Sequence, residues 1–220
     1  MSLKAHTHRT IHNATFLLLF FSLLFSNASP ARALGSGETV FSGFTDFLGA
    51  VREDEASILR GVYVADVFDL PVVQQPVGNA GYVSPHDGEL TQFGMASQFG
   101  NVGLLAHNNL SGRFFSQLAI GQEVRLVYGS GKAEHFVITD IMQFEAFEPT
   151  SPYSTFRDLS TDEILSAEQV FKKVYGGDRH VTFQTCIAGP GSLSWGRLFV
   201  IAIPKSQLIA TERLNPKPGR

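Results

Sequence analysis

A single cysteine, Cys186, in a chain of 220 residues rules out any intrachain disulfide, so this protein must be held together by a buried apolar core. The N-terminus bears on how much chain that core has to organise. Lys4, Arg9 and three histidines precede an apolar stretch over residues 14–25, and Ala31 and Ala33 follow as small residues at an A-x-A site. That is the pattern of a signal peptide, with cleavage expected before Leu34. The apolar run of twelve is shorter than the roughly 20 residues a spanning helix needs, so release is expected, with a retained anchor as the alternative. Removing residues 1–33 leaves enough chain for one domain, and a domain of that size buries most of its surface without covalent staples. The net charge is only −3 and no basic run is present, which excludes nucleic acid as an expected partner.

Apolar spacing from residue 42 to 60 (Phe44, Phe47, Leu48, Val51, Ile58, Leu59) reads as a helix ended by Gly61. Residues 62–67 read as a strand, and 70–73 as a second one, placed at a sheet edge by Pro71. Residues 79–98 are rich in turn formers. The apolar run 101–106 has strand length and delivers His107 into a polar turn. Phe114, Phe115 and Leu118 suggest one helical turn. Residues 123–128 and 133–142 form a hairpin around Gly129-Ser130-Gly131. A second helix is expected over 159–175, with Ser160 and Glu163 as its capping box. Residues 181–186 alternate as a strand, interrupted at Gly189-Pro190-Gly191, and the final strand runs over 197–203 before Pro204.

Three chemistry-bearing residues fall at the ends of these segments: Cys186, His107 and Arg197. A thiol is nucleophilic as its thiolate, which a nearby cation or proton acceptor favours. His107 for proton transfer and Arg197 for negative charge on a substrate oxygen would complete a triad. The competing reading of Cys186 is an inert buried thiol, the commonest fate of a free cysteine. His135, within a hairpin strand, reads as an ordinary surface histidine. Glu145, Glu148 and Asp158 have no defensible ligand spacing, so neither a metal nor another cofactor is expected. Asn109-Leu110-Ser111 matches a glycosylation sequon, but a glycan there would block a groove beside His107, so the match reads as coincidence.

Thr182-Phe183-Gln184-Thr185-Cys186 is similar to the Thr-Leu-x-Thr-Cys strand end of the sortases, exported cysteine transpeptidases of bacteria. Gly103-Leu104-Leu105-Ala106-His107 with the segment to Val124 resembles the family's histidine turn, and Arg197-Leu198-Phe199-Val200 its arginine-led last strand. The resemblance runs from about Val62 to Ile203. It implies a mainly β fold, a sortase-like eight-stranded β-barrel, with an added N-terminal helix and a helix inserted before the cysteine strand. The domain organisation that follows is a signal peptide at 1–33, an N-terminal extension at 34–60, a catalytic domain at 61–206 and a flexible tail at 207–220.

The resemblance also implies an activity. Cys186 would cleave a sorting signal such as Leu-Pro-x-Thr-Gly through a thioester, with His107 protonating the leaving amine and Arg197 donating to the substrate oxygen. Thr185 would help line the substrate site, its other reading being a plain strand former. Partners would be surface proteins bearing such a signal, and an amine acceptor on a cell-wall peptide or a pilin lysine. Location would be secreted or on the extracellular face of the membrane. Two alternatives stand beside this one: a sortase-like hydrolase in which water replaces the amine, and a secreted binding module that kept the barrel without the chemistry.

Overall fold

The computed structural model describes residues 43–151 and 153–214. The expected signal peptide and the last residues of the expected tail lie outside the described residues. The elements run α1 (Phe44–Val51), β1 (Leu59–Val64), β2 (Phe68–Gln74), β3 (Leu90–Phe93), α2 (Gly94–Ser97), β4 (Val102–Leu105), a 3₁₀ helix (Ser111–Gln117), β5 (Glu123–Tyr128) and β6 (Ala133–Ala146). There follow β7 (Phe156–Asp158), β8 (Ile164–Leu165), α3 (Ala167–Tyr175), β9 (Val181–Gly189), β10 (Ser192–Pro204) and α4 (Lys205–Leu214). Among the described residues no helix is long and apolar enough to cross a membrane.

The strands pair in the order β10-β9-β4-β3-β2-β1-β5-β6, and β10 also pairs with β6, which closes an eight-stranded barrel. Closure removes the open edges that a sheet of this length would otherwise present. The expected eight-stranded barrel is therefore the architecture found. Two pairings, β2 with β3 and β4 with β9, are parallel. β6 outruns the barrel: its end, Phe144 to Ala146, pairs with β7, which in turn pairs with β8.

Strand alternation sends every second side chain inward, and the interior is packed solid. Phe68, Phe115 and Phe183 meet there at ring separations of 5.2–6.2 Å, with Val62, Leu126, Ile138 and Val200 around them. The opposite face of part of the wall carries a second core. Leu105, Phe144 and Phe199 point outward and are covered by Phe156 and by Val170, Phe171, Val174 and Tyr175 of α3. The apolar positions of α3 recur at helical spacing, which is why this short helix can lie flat on the sheet.

Several boundaries differ from the sequence reading, each for a long-range reason. Gly61 does not end a helix; it lies within β1, where a Cβ would come within 2.6 Å of Phe47 Cζ, so the glycine lets α1 sit directly on the strand. Pro71 is not on an edge, since β2 is paired on both sides, but pairing with β3 starts only at Val72, so the missing N–H is not needed. The turn-rich segment contains β3 and α2. The inserted helix starts later than expected. Ser166 and Gln169 make the capping box, whereas Ser160 N and Oγ both donate to Asp158 Oδ1, at 2.9 and 2.6 Å. The expected tail begins as α4 rather than as loose chain.

Asp158 joins the insert to β7. Its carboxylate also accepts from Lys173 Nζ of α3 at 3.0 Å. Burial pushes the carboxyl upward, but the Ser160 hydrogen bonds and the Lys173 ammonium outweigh it and hold Asp158 at about 2. Because that lies below the unfolded value of 3.8, the stabilisation is fully present above the unfolded value and is lost as pH falls from there through about 2. Lys173→Met should therefore lower the urea midpoint at neutral pH, and the gap to the parent protein should narrow at about pH 2. A gap that stays constant between the two conditions would show that the pair contributes nothing to stability.

Candidate active site

β9 is flanked by β4 and β10, and the registers bring three distant segments into one row. Arg197 on β10 lies opposite Cys186, while Leu105 on β4 lies opposite Gln184. β4 ends at Leu105, but Ala106 N still donates to Gln184 O at 3.3 Å, so the turn carrying His107 begins beside the cysteine strand. Neighbouring paired strands are about 4.8 Å apart, so Arg197 flanks the thiol on one side, and the turn that carries His107 starts on the other. Residues in register point to the same face. Leu105 and Phe199 face the outer core under α3, and so Cys186 and Arg197, two positions along their strands, also face the outer side of the barrel wall.

The cysteine is half-buried and unpaired. It is not at a strand end as the sequence reading had it, because β9 continues to Gly189; likewise Arg197 sits in the middle of β10 and not at its start. Both positions are more rigid than loop positions would be.

Arg197 is only 2% exposed. Its Nη1 donates to Ser194 O and Gly196 O, each at 2.9 Å, and its Nη2 to Pro149 O at 3.3 Å. A guanidinium has five N–H donors, so these three bonds orient the group and leave two donors over. Its carbon lies 6.0 Å from the centre of the Phe156 ring. No carboxylate pairs with it among the described residues. Burial lowers the proton affinity of Arg197, and the negative charge available at Cys186 works the other way. A buried cation without a counter-ion is costly, and the group beside it that can supply one is the thiol.

His107 is half-buried, and burial holds its imidazole below the usual histidine value, with a hydrogen bond to the Val83 backbone opposing the shift. The turn that carries it is tightly tied. His107 O accepts from Leu110 N and Gly112 N at 3.0 Å, and Asn108 Nδ2 donates to Leu193 O at the start of β10 at 2.8 Å. Thr185 is buried, and its hydroxyl donates to Ala106 O at 2.8 Å. It thereby bolts the cysteine strand to the residue before His107. The sequence reading missed Asn108 and Val83, whose contacts are long-range and leave no local pattern.

Gly112 is the keystone of this turn. A Cβ there would lie 2.4 Å from Thr185 Oγ1, 2.6 Å from His107 O and 2.7 Å from Ala106 O. None of these atoms is the free end of a flexible chain. Gly112→Ala should cost about 2–3 kcal/mol of stability and displace His107 from the row. A variant with parental stability and unchanged turnover would refute this account of the turn.

Elsewhere, His135 is exposed and paired with Glu123, away from the row. Among the described residues no group of three or more histidine, cysteine or acidic side chains could hold a metal.

No family model matches the chain, and no curated protein matches it. Solved structures do. Sortase C1 from Streptococcus suis is 14% identical over 73% of this chain and 76% of its own, with a TM-score of 0.45. Sortase A from Listeria monocytogenes is 12% identical over 74% of this chain and 99% of its own, at 0.40. Clostridium perfringens sortase C, solved with the C-terminal cell wall sorting motif, is 16% identical over 72% and 80%, at 0.43.

Proposed function

We propose that this chain is an exported sortase-type cysteine transpeptidase. The observation that carries the reading is a half-exposed thiol whose strand partner is a buried guanidinium without a carboxylate partner among the described residues, with the turn of His107 starting beside the strand on its other side. A structural cysteine needs neither neighbour. An unpaired buried cation is retained at a cost, which is accounted for when a transient negative charge must be balanced there.

In the first step the Cys186 thiol passes its proton to His107, and the sulfur attacks the carbonyl carbon of a peptide bond in a sorting signal of the Leu-Pro-x-Thr-Gly type. The carbonyl π electrons move to oxygen, and the two uncommitted donors of Arg197 stabilise that oxyanion. His107, on the opposite flank, gives its proton to the leaving nitrogen as the C–N bond breaks, and a thioester remains. In the second step an amine attacks the thioester, loses its proton to His107 and releases the thiolate. One peptide bond is broken and one formed, so no external energy source is required. Thr185 acts as a positioning residue that keeps the strands of His107 and Cys186 in register. The acceptor amine belongs to a cell-wall peptide or a pilin lysine, and the work is done outside the cytoplasm.

The test is incubation of residues 34–220 with Leu-Pro-x-Thr-Gly-like peptides and a glycine amine, read by mass spectrometry. A peptide–glycine product supports transpeptidation. Hydrolysed peptide alone would replace it with the hydrolase reading, and an inert protein whose Cys186 also resists iodoacetamide would leave only a binding module.

A further inference from the structure

We propose, resting on the transpeptidase reading, that Gln184 is a substrate-recognition residue. Its side-chain amide donates to a side-chain oxygen on the peptide held at Cys186, and Tyr175 is the positioning residue that aims it.

Gln184 precedes Cys186 by two residues on β9 and shares its outward face, so the two start about 6.6 Å apart along the strand. That is the span of roughly two residues of an extended peptide. Gln184 is only 9% exposed, and its neighbours across the sheet, Leu105 and Phe199, are apolar and buried. Tyr175, at the end of α3 and fully buried, donates its hydroxyl to Gln184 Oε1 at 2.6 Å. Burial keeps the phenol protonated well above its ordinary range, so it remains a donor. The amide oxygen is thus satisfied, which fixes the direction of the amide and leaves both N–H groups of Nε2 to be used.

Among the described residues Nε2 has no hydrogen-bond partner, yet it is not among the buried polar atoms sealed off without one. It therefore keeps some solvent-accessible surface, on the face of β9 that Gln184 shares with Cys186. A donor set in an apolar floor has one selective consequence. Apolar walls discriminate weakly between substrates, whereas a built hydrogen-bonding group rejects a ligand that lacks the acceptor. The substrate class that fits carries an oxygen-bearing side chain, such as Asp, Asn or Ser, one or two residues from the scissile carbonyl.

The experiment is a peptide library varied at each position flanking the scissile bond, with a glycine amine, comparing the parent protein with Gln184→Leu, Gln184→Glu and Tyr175→Phe. The parent should favour an oxygen-bearing side chain over an aliphatic one about tenfold at one position. Gln184→Leu should bring that ratio to about one while preferences at other positions hold. Gln184→Glu, nearly isosteric, should turn the same position against acidic residues, and Tyr175→Phe should reduce the ratio part of the way. A parent protein that transfers peptides while every variant slows all of them by one common factor would overturn the recognition role and leave the transpeptidase reading standing. A parent protein that transfers no peptide overturns both.

Discussion

Cys186→Ala should abolish the proposed peptide transfer, with kcat/KM falling by at least about 10⁴-fold while the protein stays folded. The size follows from the proposed chemistry: the sulfur forms the covalent intermediate, and no neighbouring side chain can replace it as a nucleophile. Stability is expected to change little, because the thiol is half-exposed and makes no hydrogen bond that the barrel depends on. The measurement is the rate of peptide–glycine product by mass spectrometry beside the thermal midpoint. Residual transfer within tenfold of the parent would remove Cys186 from the reaction altogether.

Arg197→Lys should be nearly as damaging, with a loss of about 10²–10³-fold in kcat/KM, although the charge is conserved. Lysine offers a compact ammonium with three donors, whereas Arg197 uses a planar fork to hold Ser194, Gly196 and Pro149 carbonyls while keeping two donors for substrate. A lysine that satisfies the carbonyls has nothing left to offer an oxyanion, and one that turns to the oxyanion leaves buried carbonyls unpaired. The prediction is a fall in kcat with only a modest change in KM. Full activity in the lysine variant would mean that charge alone suffices and the fork geometry is irrelevant.

The sequence was most informative where neighbours in the chain are neighbours in space. The β5–β6 hairpin follows from Gly129-Ser130-Gly131 between two β-rich runs, and the strand before Cys186 from its alternation. The identity of His107, Cys186 and Arg197 as candidates was legible too, but their meeting was not, since it depends on the registers of β9 with β4 and with β10. At the start of α3 the chain contains two local solutions, and contacts made with β7 decide between them. Ser160-x-x-Glu163 and Ser166-x-x-Gln169 both spell a capping box, and the choice was made by Asp158, which captures Ser160, and by β7, which pairs with Ile164 and Leu165. Gly61 and Pro71 were read by their usual local meanings. The contacts that give them other uses, Phe47 above the one and the late start of β3 pairing beside the other, lie far along the chain.

Because the barrel interior is filled by Phe68, Phe115 and Phe183, no segment of another protein can thread through it, and Cys186 and Arg197 lie instead on the outer side of the wall. The proposed reaction, run on the outside of the barrel and not within it, would set no size limit on what hangs from either end of the peptide. A bulky folded cargo on one side and a polymeric acceptor on the other would be able to approach together, provided that a few residues of slack chain lie between the cargo and the bond to be exchanged.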